Sequence, residues 1–128
     1  MADPDPRVRS LSAVALRPIG PKAVDAVPEL IQALNDPVAY VRAPAADALG
    51  SIGPAAKAAV PALGERLLAT VEQTYVLRSA AAALGNIGPD AAGALPELQR
   101  ALTIYRDVKN TAQEAILKIK KEPVPAWF

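Results

Sequence analysis

The chain has 128 residues, enough for one domain with its own core, and its 52% hydrophobic and 21% charged residues describe a globular composition, not a disordered one. A balance of 14 basic and 13 acidic residues leaves a net charge of +1, without the basic excess that grips nucleic acid through its phosphates. With no Cys and no His there are no disulfides, no thiolate chemistry, and neither the commonest metal ligand nor the commonest general base; no run approaches the ~20 apolar residues that span a bilayer.

In chain order, Asp5-Pro6 is a helix start, a capping oxygen followed by a residue with fixed φ and no amide hydrogen to lose. Val8, Ser12, Ala15, Leu16 and Ile19 then trace one helical face, and Gly20-Pro21 supplies a left-handed stop. A second helix carries Ala23, Ala26, Val27, Leu30 and Leu34, with Pro28 inside the pattern, either near the helix start or at a tolerated kink. Asp36-Pro37 opens the same sequence of events again: Val41, Ala45, Ala48, Leu49 and Ile52, then Gly53-Pro54, then Ala56, Ala59, Val60, Leu63 and Leu67 around Pro61. Pro44 interrupts this first helix alone, and nothing in the sequence accounts for it.

The third unit runs Val76, Ala80, Ala83, Leu84 and Ile87, Gly88-Pro89, then Ala91, Ala94, Leu95, Leu98 and Leu102 around Pro96; it lacks Asp-Pro and carries an insertion around Thr70 to Thr74. A degenerate fourth unit runs Val108 to Ile119, with Lys120-Lys121 where Gly-Pro is expected. The anchors Ile19, Ile52, Ile87 and Ile119 are spaced 33, 35 and 32 residues apart, a period that belongs to stacked helix pairs. The expected organisation is a single array over 1–121, with repeats at about 5–35, 36–70, 71–103 and 104–121, and a Pro-rich aromatic tail over 122–128.

The motif Asp36-Pro37, Val41-Arg42, Ala45 to Gly53 and Val60-Pro61-x-Leu63 resembles the short HEAT repeats of the phycobilisome-lyase type. The resemblance covers about residues 5–121 and departs at Arg17-Pro18 in the first repeat. It implies an all-α, right-handed α-α superhelix of about 3.5 helix pairs, with first helices outside and second helices lining the concave side. Tetratricopeptide and ankyrin units share the period, but their signatures are missing.

The expected function is a non-enzymatic protein–protein interaction scaffold or assembly module, a piece or subunit of a larger complex. The alternative is a bilin-lyase-like, chromophore-handling protein. The partner is expected to be protein, with no nucleic acid, no membrane insertion, no metal and no cofactor, in a soluble and cytoplasmic setting. Candidate contact residues are Glu29, Gln32, Glu65, Arg66, Glu97 and Arg100 on the second helices, and Tyr40 and Tyr75, which share a column at the start of first helices. Leu11 and Val14 stand in columns that elsewhere hold Pro44/Ser79/Thr111 and Asp47/Ala82/Glu114, so the N-terminal end of the array reads as open, while the polar fourth repeat reads as closed. Trp127 and Phe128 are a tail anchor or a docking peptide.

Overall fold

A computed structural model describes residues 2–69 and 71–122. The first helix, α1 (Pro6–Leu16), begins where Asp5 caps it: its carboxylate accepts from the Arg7 amide at 2.9 Å, and Pro6 is the first helical residue. At the second unit the expectation shifts. The helix α3 (Ala39–Ile52) starts two residues beyond Asp36-Pro37 and is capped by Val38 without a side-chain bond. Asp36 accepts from the Val38 amide at 2.9 Å and turns its carboxylate to Arg9 instead. The other first helices are α5 (Thr74–Ile87) and α7 (Lys109–Lys120).

The second helices are shorter than a continuous 3.6-residue pattern implies. Residues Arg17–Ala26, Gly53–Ala59 and Gly88–Ala94 form 3-10 segments, and only then do α2 (Val27–Ala33), α4 (Val60–Leu68) and α6 (Leu95–Ile104) begin. Pro28, Pro61 and Pro96 each fall at the second position of an α-helix, where the amide has no intrahelical partner, so the recurring proline breaks no ladder there. Gly20, Gly53 and Gly88 end the preceding stretch with φ of 67, 78 and 84°. Their ψ values lie near −140°, which is not the left-handed helical stop expected but the mirror-image extended region open essentially to glycine. The fourth unit closes differently: Lys121 is left-handed, and the Glu122 and Lys121 amides donate back to Leu117 and Lys118.

Pro44 sits inside α3 and cannot donate to the Tyr40 carbonyl one turn earlier. Ser10 Oγ, from α1 of the neighbouring unit, donates to that carbonyl at 2.9 Å. Ser10→Ala should therefore cost about 0.5–1 kcal/mol in the natural chain and nearly nothing in a Pro44→Ala background, a coupling read from a double-mutant cycle by chemical denaturation.

The helices α1, α3, α5 and α7 pack on one another in succession, and every substantial contact between elements lies within one unit or between adjacent units. That is a linear array, an α solenoid, in which each helix pair hides its apolar stripe against the next. Leu30, Leu34, Val41, Leu49, Ile52, Leu63, Leu67, Val76, Leu84, Ile87, Leu98 and Val108 are fully buried along its length. First helices approach closely at two glycines: a Cβ on Gly50 would lie 3.1 Å from Ala83 Cα, and one on Gly85 would lie 2.9 Å from Ala115 Cα.

Adjacent units are also tied by ion pairs that use the Arg of the Val-Arg motif. Arg9 holds Asp36 through Nε at 2.7 Å and Nη2 at 3.1 Å. Arg42 holds Glu72 through Nε at 2.9 Å and Nη2 at 2.7 Å, and gives Nη1 to the Asp36 carbonyl at 2.7 Å. Glu72, in the insertion, thus takes the part that Asp36 plays one unit earlier.

Candidate interaction surfaces

Three surfaces carry the residues singled out in the sequence. The first lies on the second helices. Glu29 and Gln32, one turn apart on α2, share a hollow of about 410 Å³ with Ala2, Ala33 and Asp36. Glu65 on α4 and Glu97 on α6 share another of about 330 Å³, bounded by Val60, Pro61, Gly64, Leu68, Gly93 and Ala94. Its openness to side chains follows from the glycines: a Cβ on Gly93 would meet nothing within 4 Å, and one on Gly64 would make ordinary contacts with the Glu97 stem at 3.6 Å and Ala94 Cβ at 3.8 Å. Glu97 Oε2 is buried against this floor without a hydrogen-bond partner among the described residues, and a carboxylate oxygen left so is costly unless a donor reaches it.

Arg66 and Arg100 do not join this hollow. Arg66 reaches Glu72 at 3.4 Å, and Arg100 is exposed on α6. The hollow between α4 and α6 is thus lined by two carboxylates, while the exposed Arg100 stands outside it on α6.

The second surface runs along the starts of the first helices. Tyr40 and Tyr75 are about half exposed, at 45% and 44%. Each lies within electrostatic reach of the arginine from the preceding unit, Tyr40 of Arg9 and Tyr75 of Arg42. The arginine–carboxylate pairs beneath them are the residues that sequence reasoning passed over. The repeated Val-Arg was the available signal; its partner was hidden because Glu72 sits in an insertion, outside the Asp-Pro motif.

The third surface is the N-terminal end. Leu11 and Val14 are 67% and 48% exposed, and Val8, Ile19 and Val24 join them. The sequence puts Val8 and Ile19 on the apolar face of the first unit, in columns that are buried in every other unit; here they are 42% and 50% exposed, as an open N-terminal end requires. Trp127 and Phe128 lie outside the described residues. Among the described residues, no group of three or more His, Cys, Asp or Glu side chains is placed to hold a metal ion, and no helix is long and apolar enough to cross a membrane.

A linear stack of helix pairs with Val-Arg, Ala-Leu-Gly and Val-Pro columns defines an α-solenoid repeat protein. The sequence profile of HEAT repeats matches residues 1–74 and 27–117, and the chain belongs to the HEAT repeat family. Among solved structures, the crystal structure of an engineered protein is similar, with a TM-score of 0.74 and 25% identity over 95% of this chain. The chain spans 60% of the length of that protein. No curated protein matches the sequence.

Proposed function

We propose that the chain is a non-enzymatic protein-interaction scaffold that engages a protein partner through the groove between α4 and α6. The observation that supports this reading is Glu97 Oε2, buried and without a donor among the described residues, beside Glu65 in a hollow floored by glycine and rimmed by Leu68. A partner segment with a basic or amide side chain would satisfy that oxygen, while an apolar neighbour covers Leu68 and Pro61. Neither nucleic acid nor membrane enters this reading, since the charges of the groove are acidic.

The test is capture of a stoichiometric partner from the native source by the wild-type chain, compared with Gly93→Trp, which fills the hollow from an open position, and with Glu65→Lys, which reverses its rim charge. Both variants should melt within about 2 °C of wild type, because each residue is exposed. Capture should fall at least tenfold with either. Undiminished capture by both would remove the groove from the interaction.

A further inference from the structure

In the second, third and fourth units the columns Val41/Val76/Val108 and Ile52/Ile87/Ile119 are at most 4% exposed. The same columns in the first unit, Val8 and Ile19, are 42% and 50% exposed, and Leu11 beside them is 67% exposed. Ala15, whose counterparts Ala48, Ala83 and Ala115 are all buried, is exposed too. What covers such a face inside the array is visible at two positions: the Ala83 and Ala115 columns receive Gly50 and Gly85 from the helix before. Ser12, the one polar residue of the stripe, already donates its hydroxyl to the Val8 carbonyl at 3.0 Å, so covering it strands no donor.

Charge points the same way. At two of the three junctions between units, the arginine of the earlier pair grips a carboxylate just ahead of the next first helix, Arg9 on Asp36 and Arg42 on Glu72; the third unit has Leu77 in that column. The first unit has a carboxylate in that place: Asp3 stands in the column of Asp36, accepts from the Asp5 amide at 2.8 Å as Asp36 accepts from Val38, and gives its carbonyl to Arg9 Nη1 at 2.8 Å as Asp36 gives its own to Arg42.

We propose that the face formed by Val8, Leu11 and Ala15 on α1 with Ile19 just beyond it is a stacking site for another helix pair of the HEAT type, one that brings a small residue in the column of Ala46 and an arginine in the column of Arg42 to meet Asp3. Such a pair continues the internal interface without a break. A second copy of this chain is a poor occupant. The covering helices present Ala13, Ala46 and Ala81, all 0% exposed, whereas α7 presents Gln113 in that column and Leu117 in the column of Gly50 and Gly85.

The experiment fuses a second copy of residues 36–70 directly ahead of the full chain. The melting temperature should rise by about 5 °C or more, and amide exchange along α1 should slow. Leu11→Glu with Ile19→Glu should leave the unfused chain within about 2 °C of wild type, and should abolish the gain in the fusion. A fusion that melts no higher than the chain alone, or a gain that survives the two glutamates, overturns the proposal. So does a dimer of the natural chain in light scattering that Leu11→Glu disperses, because the face would then belong to a second copy. This inference concerns a different face from the α4–α6 groove and stands or falls apart from it.

Discussion

Glu72→Ala should destabilise the chain by about 3 kcal/mol, a fall of roughly 10 °C in melting temperature, although Glu72 lies in an irregular connection. The side chain of Glu72 is only 1% exposed, accepts two hydrogen bonds from Arg42, and lies within 3.4 Å of Arg66. Removing the carboxylate leaves the Arg42 guanidinium, itself 13% exposed, with the Asp36 carbonyl and only the unbonded charge of the Asp36 carboxylate, which is already held by Arg9. An abandoned buried charge costs far more than the intact pair contributes. A double-mutant cycle with Arg42→Ala separates the two effects, and a loss under 1 kcal/mol in Glu72→Ala would mean the pair is solvated.

The same site sets an acid limb. Burial, the largest single influence on Glu72, pushes its carboxyl up; the bonds from Arg42 and the Gln73 amide, with the Arg42 and Arg66 charges, outweigh it and hold it below the usual glutamate value. Asp36 is held below the usual aspartate value chiefly by its bond to Arg9. A carboxyl depressed in the folded state contributes stability that is complete above its unfolded value, near pH 4, and is lost as pH falls through the folded value. Denaturation followed from pH 6 to pH 3 should show this loss, and Glu72→Ala should flatten it.

Gly85→Leu is the second large effect, at about 2–3 kcal/mol. Even a methyl group at Gly85 would stand 2.9 Å from the backbone of Ala115, so α5 and α7 must separate to admit a larger side chain. The better helix propensity of leucine returns less than about 1 kcal/mol. Since α7 packs on α5 at this contact and is the last of the described helices, hydrogen exchange along Lys109–Lys120 should accelerate first. Gly93→Ala is the contrast: its added methyl meets nothing, and restriction of the unfolded chain should leave the protein neutral or more stable by about 0.5 kcal/mol. Equal losses at both glycines would show that lost backbone freedom, and not the α5–α7 contact, dominates.

Much of the architecture was legible in the chain because a repeat states its core several times. Val41, Leu49 and Ile52 announce one buried stripe, and Val76, Leu84 and Ile87 repeat it at the same spacing. The helix pairs, their order and the HEAT family followed from that periodicity together with Gly-Pro and Val-Pro. The same periodicity gives Val8 and Ile19 an apolar face without saying that they are half exposed. A column records what a residue is suited to touch, whereas burial depends on whether a neighbouring unit is there to touch it.

Local chemistry, then, was written in the sequence: which segments are helical, which face of each is apolar, and which residues can end a helix. Only the tertiary structure decided the long-range pairings, Arg42 with Glu72 across the insertion, Ser10 with the carbonyl freed by Pro44, and Gly85 against Ala115. The physical reason is that helical periodicity is a property of neighbours three and four residues apart. A contact between residues 30 apart depends on how two rigid hairpins settle against each other, and no spacing along the chain records that.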